Sequence, residues 1–571
     1  MPSNVIALCL SVLQLFFFVQ AKEFPAKLRI KDNFELPTNN KHTFDVTHRL
    51  LHRQRRESQS ENPFNKPRSR RDAACVNPTN AKNIVKDQWK FPDDDKHVSF
   101  SMTWVGKNYQ TILLLATTEF FIFSIQRSAL YRSTDYGTSF KKINTDIYGG
   151  NIRKDFGIQR SPVDPNRVIL VSFSLPILGR PSTLYISKDG AMKWKKVDLS
   201  FRVSNGIEFH PRNKDWLIAK GSTLQQGAYL STDFGFTWKK LRPYVISVKW
   251  GARQDKKVEK EEKTIFLTMA PIANNFINIY DLQLWRSRDL GKNFKLISKH
   301  VYSFGVQGPF LFFTVDFNKN NRTRIMHVSK DGGDTNDVAG VPSILPMQFY
   351  SILDMSEGMV FLHVDNEKDT GKGVLYTSDA DGIVFDKSLE NHMYTNFDGI
   401  TDFYKVESMN GTYITSRMND DKSLTTVITF DRGGEWNPIN LDQSHCAGQQ
   451  SRKAASVCSL QIHNKFSKSR HISGVAMGPI SEATAVGVIV AHANPGYALL
   501  SKNIGIWISR DGGYTWKTQT SLSGAHHYAI ADHGNLLLAI PASGQDVKSL
   551  LILYVNPSGC FPATFHYLFR L

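Results

Sequence analysis

Ser231-Thr-Asp233-Phe-Gly235-Phe-Thr237-Trp238 and Ser509-Arg-Asp511-Gly-Gly513-Tyr-Thr515-Trp516 share one pattern, Ser/Thr-x-Asp-x-Gly-x-x-aromatic. It returns around Ser133, Asp135, Gly137 and Phe140, around Ser287, Asp289, Gly291 and Phe294, and around Thr429, Asp431, Gly433 and Trp436. Three further copies are irregular. The copy from Ser187 through Asp189 to Trp194 lacks the glycine, and the copy from Ser329 through Asp331 and Gly333 ends on Asn336 instead of an aromatic. The third, Ser378-Asp-Ala380-Asp-Gly382-Ile-Val-Phe385, lacks the aspartate at its usual place.

The spacing has a chemical reason. An aspartate in a tight turn accepts backbone N–H bonds. The glycine two residues on supplies a left-handed conformation that a β-carbon resists, and the closing aromatic brings a large apolar surface to the space between sheets. This is the Asp-box hairpin, here a device for holding turns and not a set of catalytic carboxylates. Eight copies start 42 to 56 residues apart, except for one interval of 80. A four-stranded propeller blade takes roughly 40–50 residues. The sequence therefore predicts an all-β propeller, with a blade plus an insertion, or a blade with a long loop, in the wide interval.

Ahead of the boxes lies a different kind of chain. The apolar run Val5 to Val19, followed by Gln20 and Ala21, reads as a signal peptide over residues 1–21. Residues 22–71 hold thirteen Lys/Arg against six Asp/Glu and little periodic apolar pattern, too little to build a core. They end on Arg68-Ser69-Arg70-Arg71, a site for a furin-type convertase, whose acidic subsites would receive the guanidinium groups of Arg68, Arg70 and Arg71. The expected organisation is thus a signal peptide, a basic propeptide and a propeller domain over residues 72–571. No later run reaches the ~20 apolar residues of a membrane helix, so the chain as given reads as lumenal or secreted.

Cys75, Cys446, Cys458 and Cys560 remain once the signal peptide, with Cys9, is removed. An oxidising compartment favours disulfides, and Cys446 and Cys458 are close in sequence across a polar loop. Cys75 and Cys560 form the second candidate pair. Asn321-Arg-Thr323 and Asn410-Gly-Thr412 are N-glycosylation sequons. The chain carries +18 overall, of which the propeptide accounts for +7. A secretory location argues against a nucleic-acid partner and leaves either acidic partners or a solvated basic surface.

Further stretches identify a family. Val301-Tyr-Ser-Phe-Gly305, Gln348-Phe-Tyr-Ser-Ile-Leu353, Phe361-Leu-His-Val-Asp365, Ser388-Leu-Glu-Asn-His-Met-Tyr394 and Gly487-Val-Ile-Val-Ala-His492 resemble the sortilin family of sorting receptors, in order, from about Ser99 to about Ile540. The resemblance implies a propeller of about ten blades whose tunnel takes up peptide and protein ligands of neuropeptide or growth-factor kind. It also implies binding of the receptor's own propeptide and traffic between Golgi, endosome and cell surface. It assigns Arg324, or failing that Arg322, to a ligand's C-terminal carboxylate, with Phe312, Thr314, Tyr350, Ser351 and Ile352 around it. The likeness fades after about Ser549, so the last one or two blades are expected to be incomplete. Cys75 then either pairs with Cys560 or stays unpaired.

Asp boxes also decorate sialidases, but the tyrosine–glutamate pair and arginine triad of such enzymes are not found. His526-His527 and Asp532-His533 lack metal-ligand spacing. The expectation is a binding protein with no enzyme activity, no cofactor and no metal, either as a receptor ectodomain or as a soluble decoy form.

Overall fold

The computed structural model describes residues 87–89 and 99–554, apart from 107–110, 118–126, 136, 138, 174–179, 223–226, 254–256, 274–275, 278–280, 319–322, 343–348, 366–370, 396–398, 447–456, 520–521, 535 and 543–549. Strands dominate, and they fall into antiparallel four-stranded units that follow one another along the chain. The first unit is Ser99–Val105, Thr111–Thr117, Ser128–Ser133 and Lys141–Lys142. The second is Gln159–Arg160, Val168–Val171, Thr183–Ser187 and Lys195–Asp198. The third is Val203–Phe209, Leu217–Gly221, Gly227–Ser231 and Lys239–Pro243.

The long strand Lys295–Gln307 joins two units into a seven-stranded sheet. Its start closes the fourth unit, after Val245–Trp250, Ile265–Met269 and Leu282–Ser287. Its end opens the fifth, before Phe310–Asn318, Thr323–Ser329 and Asp337–Val338. The sixth unit holds Phe349–Asp354, Phe361–Asp365, Lys372–Ser378 and Phe385–Met393; the seventh holds Tyr404–Lys405, Tyr413–Met418, Leu424–Thr429 and Asn437–Pro438. In the eighth, Ser459–Ile462 and Ile480–Ser481 share the partner strand Ile489–Gly496, and the short helix Lys465–Ser469 lies between them. The 80-residue interval therefore holds one sheet with an insertion.

In each of these eight units the Asp box is the turn from the third strand to the fourth. At the Ser231 copy, Ser231 Oγ donates to Asp233 Oδ1 at 2.8 Å, and the Gly235 and Thr237 amides donate to Ser231 Oγ and Asp233 Oδ1 at 2.7 and 3.0 Å. Two irregular copies form the same turn. Ala191 takes the glycine's place at φ 69°, and its amide still donates to Ser187 Oγ at 2.9 Å. At the Ser378 copy the aspartate has moved one residue upstream: Asp379 Oδ1 accepts the Ile383 amide at 2.9 Å, the same four-residue reach.

Central strands are apolar on both faces, Thr111–Thr117 being buried throughout, because each sheet packs between two others. Leu113, Leu115 and Leu130 meet Val168, Leu170 and Tyr185 between the first and second sheets. Equivalent layers join every later pair up to the eighth and ninth, where Val490 and Ile506 meet Tyr528 and Leu537. One more layer joins the ends of the series: Ile112, Leu114 and Tyr131 of the first sheet pack on Leu538 and Ile540 of the ninth. A buried Leu or Ile in such a layer contributes about 1.5–3 kcal/mol relative to exposure.

The ninth sheet differs from expectation. It consists of His526–Ala531, Leu536–Pro541 and Leu550–Tyr554, with Asp87–Trp89 hydrogen-bonded along its last strand. A strand from the start of the domain thus supplies the fourth position, where the resemblance suggested an incomplete blade. Nine such units occur among the described residues, against the ten that the resemblance implies.

Candidate functional site

Thr323-Arg-Ile-Met-His-Val-Ser329 is the third strand of the fifth sheet. Met326 and Val328 are buried in the layer shared with the sixth sheet. Arg324 stands opposite Asp316 in the ladder, two residues from Met326, and so faces the same layer just beyond its apolar part. Its guanidinium carbon lies 3.4 Å from the centroid of the Tyr302 ring. Tyr302 can reach it because a bulge between Val301 and Ser303 gives that strand one extra residue.

Thr314 faces the same layer. It is 8% exposed, and its hydroxyl is 2.9 Å from that of Ser303, its partner across the ladder. Ile352, from the first strand of the sixth sheet, packs on the layer from the other side. Arg324, Thr314 and Ile352 are thus brought together at one seam. Tyr350 pairs with Val364 on the same strand as Ile352.

Phe312 and Ser351 are placed differently. Phe312 is only 1% exposed and packs with Phe310 and Val328 in the layer beside this seam. Ser351 points to the opposite face, toward the seventh sheet, where its hydroxyl donates to the Tyr394 hydroxyl at 2.8 Å.

Behind Ser351 runs a buried polar chain. The Tyr394 ring stacks on His363, with centroids 4.6 Å apart, and His363 Nδ1 lies 2.9 Å from His392 Nδ1. His392 Nε2 is 2.9 Å from the Thr415 hydroxyl. Burial pulls the pKa of His363 well down, the neighbouring His392 adding to the effect, and burial takes His392 to about 3. Both rings are therefore neutral at neutral pH, and one proton serves the two facing nitrogens.

The box carboxylates are engaged in their own turns. At Asp289 partial burial acts to raise the pKa, but bonds from Asn293, Ser287 and Lys292 outweigh it and hold the group at about 2. Asp135, Asp233, Asp331, Asp431 and Asp511 are likewise lowered, in each case against the effect of burial and by bonds within the box. Asp189 accepts from Ser187 Oγ at 2.9 Å and from the Lys193 amide at 3.0 Å in the same way. A cleft of about 290 Å³ lies at the box turn of the fifth sheet, lined by Lys330, Asp331, Asp337, Asp381 and Ile383; its walls do not include Arg324.

Cys446 and Cys458 form a disulfide, with Cα atoms 6.3 Å apart, buried in the layer between the seventh and eighth sheets. Asn410 is exposed on a turn. The signal peptide, the propeptide with Arg68, Arg70 and Arg71, Cys75, Cys560, Asn321 and Arg322 lie outside the described residues.

Repeated four-stranded sheets, eight of them with an Asp-box turn between the third and fourth strands, define an all-β protein of the β-propeller type. The family described as "Sortilin, neurotensin receptor 3" matches residues 128–554, and the chain belongs to this Sortilin-Vps10 family. It is 39% identical to the mouse (Mus musculus) sortilin over 458 residues, covering 80% of this chain and 53% of the relative. To the Danio rerio sortilin it is 39% identical over 472 residues, covering 82% and 56%. A sortilin-related receptor from Homo sapiens is 26% identical over 513 residues, covering 85% of this chain and 22% of the relative. The chain spans about half the length of the sortilins it matches.

Proposed function

We propose that this chain is the ligand-binding part of a sorting receptor, which takes up peptide or protein ligands and directs them between Golgi, endosome and lysosome. The 39% identity to sortilins carries this reading, because it extends over 458 residues, 80% of this chain. The sheets form a closed ring of nine blades: consecutive apolar layers link each sheet to the next, and the layer of Ile112, Leu114 and Leu538 links the last to the first. Maturation removes residues 1–21 and then the propeptide, 22–71, by a furin-type convertase acting after Arg71; the released propeptide is a ligand for the same ring. Asn410 and Asn321 carry glycans.

Arg324 receives the C-terminal carboxylate of a peptide ligand, with Thr314, Tyr350 and Ile352 around the last side chain. A planar guanidinium suits a carboxylate, and captured chain termini are a recurrent recognition mode. Tyr302 holds the guanidinium from beneath. No chemistry is assigned to the site, since the carboxylates of the boxes are occupied in their turns.

The test is a pair of peptides, one with a free C-terminus and one amidated. Arg324→Ala should weaken the free-acid peptide by about 2–5 kcal/mol. It should leave the already weak amidated peptide almost unchanged, because the missing charge and the missing partner belong to one interaction. Equal losses for both peptides would remove Arg324 from the site.

A further inference from the structure

The positive charge of the domain is confined to one part of it. Residues 127–250, which span most of the first three sheets, contain twenty-one Lys/Arg against nine Asp/Glu, a net +12. Residues 251–571 contain thirty-one of each and are neutral.

Within the basic part the lysines keep a strict register. In each of the three sheets the box aromatic is followed by two lysines: Phe140-Lys141-Lys142, Trp194-Lys195-Lys196 and Trp238-Lys239-Lys240. These open the fourth, outermost strand of their sheets, and all six side chains are exposed. Lys142 pairs across the ladder with Tyr131, Lys196 with Tyr185 and Lys240 with Tyr229. The three pairs are therefore equivalent positions on three neighbouring sheets.

Paired residues share a face, so the register also says where each lysine lies. Tyr185 belongs to the layer against the first sheet and Tyr229 to the layer against the second. Lys196 accordingly faces the first sheet at the outer edge of that seam. Lys141 meets it there, because its ladder partner Arg132 crosses the seam to donate to the Ala191 carbonyl at 2.7 Å. Lys195 and Lys240 flank the next seam, where Lys195 Nζ is 5.7 Å from the Phe236 ring of the third sheet.

Protection of sheet edges does not require this arrangement. Charge of either sign blunts an edge strand, and other sheets here end on Asp337–Val338 or Asn437–Pro438. Four like charges in two adjacent seams, with Lys142 and Lys239 on the outer flanks, repel one another and are tolerated only at some cost. Asp146, 3.3 Å from Arg132, and Asp198, 3.5 Å from Lys196, are ion-paired along this rim.

We propose that this lysine rim binds a sulfated glycosaminoglycan chain laid across the seams of the first three sheets. A linear polymer with regularly spaced anions matches cation pairs repeated in register on neighbouring sheets. Ammonium groups, as mobile point charges, suit sulfates presented at varied angles. A membrane fits less well, since the large apolar side chains exposed beside the rim are Tyr148 and Met192, too few for an inserting face. The secretory route read from residues 1–71 leads to compartments where such glycans occur.

The experiment uses the secreted chain and immobilised heparin as the probe. Lys195, Lys196, Lys239 and Lys240 are changed together to Gln, against a control changing the exposed Lys292, Lys299, Lys502 and Lys517, which removes the same charge elsewhere. The first variant should lose about tenfold in affinity in 0.15 M salt and show a shallower salt dependence; the control should stay within about twofold. Unchanged thermal unfolding of both would tie the loss to the rim. Equal losses in the two variants, or no retention of the parent chain, overturn the proposal. So does capture by phosphatidylserine vesicles or polyglutamate at least as strong as by heparin.

Discussion

The guanidinium of Arg324 is stacked on the ring of Tyr302, 3.4 Å from its centroid, although the two residues stand on strands separated by a third. The bulge before Ser303 makes the contact possible. A long side chain carries about 2 kcal/mol of rotamer freedom, so a ring beneath the cation fixes its position before a ligand arrives. Replacing Tyr302 with Leu should keep the apolar bulk but remove the cation–π contact, worth about 0.5–2 kcal/mol. The affinity of a free-acid peptide should fall several-fold, less than for Arg324→Ala, and the double variant should be no weaker than Arg324→Ala alone. Calorimetric titration of the three variants checks this; additive losses would mean that Tyr302 acts independently of Arg324.

The box glycines differ in what surrounds them. A β-carbon on Gly513, at φ +106°, would lie 2.6 Å from Ile428 Cδ1, whereas one on Gly235, at φ +88°, would lie 3.2 Å from Ile186 Cδ1. Both positions are left-handed, which costs a non-glycine residue roughly 1–2 kcal/mol. Gly235→Ala should therefore destabilise by about that amount. Gly513→Ala should cost 1–3 kcal/mol more, roughly the penalty for overpacking a filled layer. Denaturant midpoints for the two variants measure the difference, and a smaller loss at Gly513 would contradict the packing argument.

The boxes were legible because everything that makes them lies within eight consecutive residues: a hydroxyl, a carboxylate, two or three amides and a glycine. Even so, the shift of the carboxylate to Asp379 was hidden, since spacing alone cannot tell which amide an aspartate will cap. The burial of Phe312 was hidden for a different reason. Phe310-Leu-Phe-Phe-Thr-Val315 is apolar on both faces, and a strand between two packed sheets has no alternation to show which side is open. Tyr302 and the lysine register depend on pairing across strands, and neither bulge nor ladder is written in local sequence. Asp87–Trp89 was invisible as a strand, being three residues long with its partner more than 460 positions away.

Acid should weaken the fold. His392 is held at about 3 and His463, His492 and His527 at about 4, in each case chiefly by burial, and His363 is well below its usual value for the same reason. An unfolded histidine titrates near 6.5. From that value down to about 4 the unfolded chain takes up protons that the folded chain refuses, so stability falls as pH falls. Asp402, raised by burial to about 6, and Glu482, raised by burial to about 7, act in the opposite direction, since the folded state binds their protons first. Glu407 is raised by burial as well, but five histidines outweigh three carboxylates, and the melting temperature should drop between pH 7 and pH 5. His392→Gln should reduce the proton uptake on unfolding at pH 5 by about one. A melting temperature that is flat or rises on acidification would show that the carboxylates dominate.

The closing strand makes the last prediction. Cleavage after Arg71 would leave Asp72 as the new N-terminus, fifteen residues ahead of Asp87, so the mature chain keeps the strand that pairs with Leu550–Tyr554. That pairing covers an edge whose residues Leu550-Leu-Ile-Leu-Tyr554 are wholly apolar or aromatic. An uncovered edge of this kind is a template for another chain. Removing residues 72–90 should therefore yield protein that aggregates or pairs between molecules, whereas a chain starting at Asp72 should be monodisperse by light scattering. Three short ladder pairs contribute little by themselves; their weight lies in tying the first part of the domain to its last sheet, beside the layer where Leu538 and Ile540 pack on Ile112 and Leu114. If the shortened chain is equally monodisperse and melts at the same temperature, the apolar layer alone holds the first sheet to the ninth, and Asp87–Trp89 only decorates the edge.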